Sequence, residues 1–148
     1  MKSIEKKMKI VEERAERLKQ LSEKVHSLTN YQSSRISRDI AERNLQVAIE
    51  ACLDIGKIII SLEGLEEPKD NKAVFAVLSE AGILSEKSLS FLVPMAGTRN
   101  ILVHGYDRIE DSVIYGVLKK HIEDFMAFLK EIRDNYLKRN CSRSRLET

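Results

Sequence analysis

Proline, glycine and aromatic residues are scarce in this chain of 148 residues. Only two prolines and six glycines occur, none of them before Gly56, and aromatic residues make up 5% of the chain. Proline and glycine interrupt helices, so their scarcity favours long helices. The alternation of β-branched and polar residues that is typical of strands is also rare here. These absences predict an all-α protein built from long helices.

Cysteines and long uncharged runs are also few. Cys52 in an apolar stretch and Cys141 in a polar tail are too different in setting to suggest a disulfide framework or a zinc site. No uncharged run is long enough for a membrane span, and the charged N-terminus does not resemble a secretory signal. With 43% hydrophobic and 32% charged residues, the chain has a globular rather than a disordered composition. We expect one cytoplasmic domain that has no contact with a membrane.

Apolar residues recur at helical spacing and predict about five helices. The first helix carries one apolar stripe, whereas the apolar residues of the second cover more than one, so the second should be a central helix contacted on two sides. We expect residues 1–138 to form one helical domain and residues 139–148 a basic, disordered tail. The helices are predicted at about 3–28, 35–62, 72–81, 86–104 and 112–138.

Small polar residues and glycines mark the predicted helix ends. Ser33 or Ser34 should cap the second helix, Ser85 the fourth, and Asp111 or Ser112 the fifth, because a side-chain oxygen at this position accepts a backbone N–H. Gly82 and Gly105 should close the third and fourth helices.

The formal net charge of +2 hides an uneven distribution of charge. Residues 1–30 carry eight basic and five acidic groups, residues 61–98 three and six, and residues 138–148 four and one. Positive charge therefore collects at the two chain ends, which a helical bundle could bring together. A basic surface for nucleic acid is compatible with a nearly neutral total, although ordinary solvated helix faces would give the same pattern.

The densest group of polar side chains lies in residues 98–107. Asn100 and His104 are one turn apart on the same helix face, Arg99 lies to one side, and Ile101, Leu102 and Val103 are expected to anchor the turn in the core. Arginine matches phosphate oxygens and histidine exchanges protons near neutral pH, so the set suits phosphodiester chemistry without a metal. A capping histidine beside a surface cation would be the purely structural interpretation.

Residues that could form a metal site are not clustered in the sequence. The three histidines, His26, His104 and His121, lie on three different predicted helices, and no pair of carboxylates accompanies His104. We therefore expect neither a metal site nor a cofactor.

The sequence from Arg99-Asn100 through His104 to Tyr106 resembles the signature of the HEPN superfamily, in particular its HepT-like branch. Residues 41–56 are similar to the second helix of that branch, and residues 95–107 to its fourth helix and the following turn. The resemblance covers about residues 30–135. Gly97-Thr98 departs from it, because relatives commonly carry a bulkier residue there, and the first helix and the tail match only in general character.

This resemblance implies a HEPN-like, up-and-down helical bundle that dimerises and brings two motifs together across a cleft. HepT-like proteins are metal-independent RNase toxins of toxin–antitoxin systems of the type VII kind. By resemblance, Arg99 would hold the scissile phosphate, His104 would act as general base or acid, and Asn100 would orient the substrate or the histidine. Asp54 and Glu50 on the second helix are either second-tier residues near the cleft or simply solvated.

The same resemblance implies a protein partner. Relatives pair with a minimal nucleotidyltransferase antitoxin, which can transfer AMP to the motif tyrosine, here Tyr106. A bulky anion two residues from His104 would exclude RNA by its size and by like-charge repulsion. Tyr106 would then have a regulatory role.

Two alternatives to a nuclease remain open from the sequence. The chain could be a non-catalytic HEPN module that binds nucleotides or docks a nucleotidyltransferase. It could also be a structural coiled-coil dimer formed by the first helix, because one apolar stripe is also typical of a coiled-coil seam.

Overall fold

A computed structural model describes residues 2–140, apart from the side chain of Tyr106. Cys141 and most of the predicted basic tail lie outside the described residues. All regular elements of residues 2–140 are helices, with no strand, which confirms the all-α prediction. Its α-helices are α1 (Lys2–Lys24), α2 (Leu28–Ser33), α3 (Arg35–Glu63), α4 (Asn71–Glu80), α5 (Glu86–His104), α6 (Asp111–Lys120) and α7 (Ile122–Ile132). A 3-10 turn (Tyr106–Arg108) precedes α6, and a π turn (Arg133–Leu137) follows α7.

The prediction of about five helices is wrong, because residues 2–140 contain seven α-helices. The short helix α2 forms mainly in the gap between the first two predicted helices, since the Ser27 hydroxyl accepts the N–H of Asn30 and starts a helix. The predicted fifth helix divides at His121, whose backbone leaves the helical conformation at φ −125° and ψ 5°. Its ring stacks on Phe91 at 5.7 Å, and its Nδ1 lies 2.8 Å from Asp124 Oδ2.

Most of the predicted helix ends are confirmed. The hydroxyls of Ser34 and Ser85 cap α3 and α5, each accepting a backbone N–H at 3.2 Å. Gly82 follows α4 with a left-handed φ of +79°, and the N–H of Gly105 closes α5 by donating to Ile101 O at 2.8 Å. The cap of α6 was predicted wrongly, because Glu110 occupies that position without a side-chain hydrogen bond.

The long helix α3 is central, and the prediction that it is contacted on two sides is confirmed. Helix α1 packs along one side of α3, and α4 and α5 pack on other sides. Arg14 bonds Asn44 and Lys7 pairs with Asp54, so α1 and α3 run antiparallel. The apolar stripe of α1 is buried against α3 and α7 and is therefore not exposed for a coiled coil.

Helix α1 contacts the π turn that follows α7. Arg133 in the π turn forms an ion pair with Glu12 of α1 at 3.3 Å. The backbone stays helical through residues 138–140. The predicted domain boundary at residue 138 stays a prediction. None of the helices in residues 2–140 is both long and apolar enough to cross a membrane.

A close approach between α3 and α4 requires glycine at position 56. A Cβ placed on Gly56 would lie 2.5 Å from Val74 Cγ1 and 3.3 Å from Leu78 Cδ1 of α4. Real side chains do not approach so closely, so α4 can occupy this position only because Gly56 has no side chain. This contact matters for the site below, because α4 begins at Asn71.

We expect Gly56→Ala to destabilise the fold by about 1–3 kcal/mol, because the new methyl group overpacks the contact between α3 and α4. The matched control is Gly116→Ala in α6, where no described atom lies within 4 Å of the new Cβ. There the better helix propensity of alanine should stabilise by up to about 1 kcal/mol. Urea denaturation measures both free energies of unfolding, and equal values for the two variants would contradict the close contact.

Candidate functional site

Helix α5 carries the polar motif in its last two turns. Of the three apolar residues expected to anchor this turn, only Leu102 is buried. Val103 is half-buried and Ile101 is 38% exposed, so that part of the prediction is wrong. Ile101 is exposed because it faces an open groove towards α6 instead of the core.

Glu50 of α3 holds Arg99 of α5. Arg99 Nε donates to Glu50 Oε1 at 3.2 Å, and both side chains are about one-quarter to one-third exposed. Gln46, one turn before Glu50 on α3, donates its Nε2 to the same Oε1 at 3.1 Å. The carboxylate is thus fixed by its own helix while it orients the guanidinium of the neighbouring one.

Asn100 lies between Arg99 and the start of α4. Its Oδ1 accepts a hydrogen bond from an Arg99 terminal nitrogen at 3.3 Å and one from Asn71 Nδ2 at 3.5 Å. The amide therefore contacts the arginine of the motif. Within the described side chains, the second terminal nitrogen of Arg99 has no hydrogen-bond partner and is available to an anion.

His104 is the last residue of α5 and is exposed. It follows Arg99 by five residues, a rise of about 7.5 Å along the helix axis. Among the described side chains it has no hydrogen-bond partner. The backbone of Tyr106 begins the 3-10 turn directly after Gly105, and nothing further is described of that tyrosine.

The structure separates the two carboxylates that the sequence placed together. Glu50 contacts the motif, whereas Asp54 Oδ2 pairs with Lys7 Nζ of α1 at 3.0 Å. Positions 50 and 54 are one turn apart on the same face of α3, yet the first carboxylate bonds a side chain of α5 and the second a side chain of α1.

A groove of about 220 Å³ runs beside the motif, between the end of α5 and the start of α6. Thr98 and Ile101 line it from α5, Arg108 from the 3-10 turn and Val113 from α6. Ile101 and Val113 are 38% and 44% exposed, so apolar surface adjoins the arginine.

Helix α3 presents an exposed apolar stripe on the same face as Glu50. Ile36 is 73% exposed and Ile40 39%, although both are large hydrophobic residues. At 100° per residue, positions 36, 40, 43, 47 and 50 fall on one side of the helix. The exposed apolar stripe therefore consists of Ile36 and Ile40, and the charged Arg43 and the half-buried Val47 separate it from Glu50 on the same side of the helix.

Three carboxylates lie close together beside this stripe: Asp39 and Glu42 on α3, and Asp111 at the start of α6. Burial and the nearby carboxylates of Asp111 and Asp39 raise the pKa of Glu42 above its ordinary value. Burial is also the main cause that raises the pKa of Tyr31, with Glu42 and Asp111 adding to it. This face of α3 therefore carries the exposed side chains of Ile36 and Ile40 next to the partly buried carboxylate of Glu42.

Sequence analysis did not single out Gln46 or Asn71. Gln46 was within reach of sequence reasoning, because Gln and Glu four residues apart on a helix regularly bond. Nothing in the sequence around Asn71 indicates its contact with Asn100. That contact depends on how the loop between α3 and α4 positions the start of α4 against α5. Within residues 2–140, no three His, Cys, Asp or Glu residues meet in a way that could hold a metal ion.

Comparison with known proteins places these residues in a family. Residues 11–132 match the family described as ribonuclease HepT-like. The chain is 32% identical over 90 residues to the mRNA nuclease HepT of Shewanella oneidensis, covering 61% of this chain and 68% of that protein. It is 30% identical over 111 residues to the tRNA nuclease HepT of Aphanizomenon flos-aquae, covering 75% of each.

Solved structures show the same fold. A tri-AMPylated Shewanella oneidensis HEPN toxin in complex with MNT antitoxin superposes with a TM-score of 0.81 at 26% identity, over 90% of this chain and 98% of that one. A toxin–antitoxin structure with AMP-PNP gives a TM-score of 0.82 at 25% identity with the same coverage. The family match spans most of the chain and contains the whole site, so this protein belongs to the ribonuclease HepT-like family.

Proposed function

We propose that this protein is the toxin of a toxin–antitoxin pair, a metal-independent endoribonuclease that works as a homodimer. The observation that carries the proposal is the anchored Arg99. Its guanidinium is held by Glu50 and Asn100, keeps one terminal nitrogen free and precedes the exposed His104 by little more than one turn of α5.

The chemistry follows from these two side chains. Arg99 binds the scissile phosphate and stabilises the charge that develops on its oxygens. His104 takes the proton of the ribose 2′-hydroxyl, whose oxygen attacks phosphorus, and the bond to the 5′-oxygen breaks as that oxygen takes a proton from the protonated His104 of the second chain in the dimer. Asn100 orients Arg99 in this scheme, because its Oδ1 accepts from the arginine.

RNA as the substrate is supported by the relatives and by the surface. Two similar proteins are named mRNA nuclease and tRNA nuclease. Arg108 lines the groove at the end of α5, together with Glu110, and Arg99 supplies a second positive charge next to Thr98 of the groove wall. Exposed apolar side chains in the same groove give bases a surface to pack on.

A homodimer is supported by the exposed stripe of α3. Ile36 and Ile40 expose apolar surface that is usually buried in a protein contact. Because Glu50 lies on the same side of α3 as this stripe, a two-fold contact along that side of the helix would bring two Arg99 and His104 sets to one cleft. Each chain then contributes half of the site.

Control by a nucleotidyltransferase antitoxin is supported by the structural neighbours. One of them is a tri-AMPylated HEPN toxin with an MNT antitoxin. We place the modification of this chain on Tyr106, two residues after His104. The added phosphate would repel the RNA backbone.

We expect Arg99→Ala and His104→Ala each to lower RNA cleavage in EDTA by at least about 100-fold, because each removes a group that acts on the transition state. Matched controls are Arg133→Ala, far from the motif, and His26→Ala at an exposed link between α1 and α2. Both should retain the wild-type rate, measured by gel assay of RNA fragments. All four variants should keep the wild-type helical circular dichroism.

Wild-type cleavage by the His104 variant would contradict this mechanism. Intact RNA with the wild-type protein at high concentration, together with tight binding of a nucleotide near His104, would favour the non-catalytic module instead.

The double variant Ile36→Glu with Ile40→Glu should be monomeric and inactive while remaining folded, since charge on the stripe opposes a two-fold contact. The control is Leu62→Glu, which changes a 58% exposed residue at the opposite end of the same helix. Light scattering after size exclusion measures the mass, and the cleavage assay measures activity. A monomeric variant that cleaves at the wild-type rate would argue that one chain holds a complete site.

Protein produced together with its nucleotidyltransferase partner should gain mass in steps of one AMP and lose cleavage activity. Tyr106→Phe removes the accepting hydroxyl and should abolish the gain, whereas Tyr115→Phe, on α6, should leave it unchanged. Intact-mass spectrometry distinguishes the two variants. Mass steps that persist in the Tyr106 variant would place the modification on another residue.

A further inference from the structure

Lys72, in the first turn of α4, lies across α5 at Gly97. A Cβ placed on Gly97 would lie 3.4 Å from Lys72 Cε and 3.7 Å from its Nζ. The lysine side chain therefore passes over the backbone of the motif helix, in the space that a larger side chain at position 97 would fill. Lys72 is exposed, and it forms no ion pair with any described residue.

Gly97 shares a face of α5 with Asn100 and His104, whereas Arg99 starts from the other side of the helix and contacts this face through its hydrogen bond to Asn100. Position 104 follows position 97 by seven residues, nearly two full turns, so the two positions point in almost the same direction about 10 Å apart along the axis. Asn100 lies between them on the same side. The ammonium of Lys72 thus stands on the His104 face, upstream of Arg99.

The start of α4 is fixed to the motif, so the backbone from which this lysine extends is held in place. The preceding residue, Asn71, donates to Asn100 Oδ1 at 3.5 Å, and α4 packs closely on α3 at Gly56. Asp70 is engaged as the cap of α4, where its Oδ1 accepts the N–H of Ala73 at 2.9 Å.

We propose that Lys72 forms a second phosphate-binding subsite, which takes the backbone of the RNA strand next to the scissile phosphate. This rests on the proposed ribonuclease function and adds substrate positioning to it. A lysine ammonium binds phosphate as a point charge, and proteins that bind single strands follow the backbone with a line of such charges. Lys72 and Arg99 together lay the strand along α5, so that the 2′-hydroxyl of one nucleotide faces His104.

The test uses the full-length protein and a fluorescently labelled single-stranded oligoribonucleotide of mixed sequence. Lys72→Met keeps much of the aliphatic stem and removes the charge. We expect it to raise KM several-fold, and the slope of log KM against log salt should fall by about 0.7, the value for one lost phosphate contact on a single strand. The control Lys87→Met removes an equal charge at the start of α5, about 15 Å from Gly97 along the axis, and should change neither quantity.

A second pair of variants tests the space over Gly97. Gly97→Leu should displace Lys72 and raise KM as Lys72→Met does, whereas Gly97→Ala adds only a methyl group at ordinary contact distance and should have a small effect. In the Lys72→Met background, Gly97→Leu should add no further increase, because its effect acts through the lysine.

The outcomes separate this inference from the proposed function. If the wild type cleaves RNA and Lys72→Met matches it in KM and salt slope, the subsite is overturned and the ribonuclease function stands. If Gly97→Leu raises KM equally with and without Lys72, the lysine is not the cause and the subsite is also overturned. If the wild type leaves the oligoribonucleotide intact, the proposed function and the subsite fail together.

Discussion

The position of the motif depends on one contact between two helices, in which the Glu50 carboxylate accepts Arg99 Nε. At the exposure of these side chains, such a pair contributes no more than about 1 kcal/mol to stability, so its importance is geometric. It fixes one edge of the guanidinium, Asn100 fixes a terminal nitrogen, and the remaining nitrogen is left to an anion. A free arginine at the same place would lose side-chain entropy whenever it bound phosphate.

The contact between Glu50 and Arg99 depends on the fixed positions of α3 and α5. Helix α3 is buried along most of its length between α1, α4 and α5, so Glu50 extends from a rigid element. The absence of a side chain at Gly56 lets α4 approach, and α4 in turn brings Asn71 to Asn100 and Lys72 over Gly97. The polar site therefore rests on apolar packing two turns away from it.

Much of the fold was predictable because its signals are local. The absence of early proline and glycine, the apolar stripe of α1 and the capping serines Ser34 and Ser85 act within a few residues of one another. One error in the predicted number of helices arose because a tertiary contact interrupts a segment whose apolar periodicity predicts a single helix. Residues 112–138 have the periodicity of one helix, but His121 turns aside to stack on Phe91, a residue of another helix.

By itself, the sequence determined the fold class through composition and helical period. It also pointed to the family, and to the motif residues Arg99, Asn100 and His104, through a resemblance carried by residues 41–56 and 95–107, and each of these signals lies within a single segment. Only the tertiary structure decided that Glu50 and not Asp54 meets the arginine, that Asn71 reaches Asn100 and that Lys72 crosses Gly97. These contacts join residues far apart in the chain. Each depends on the angle and register at which two helices pack, which no single helix encodes.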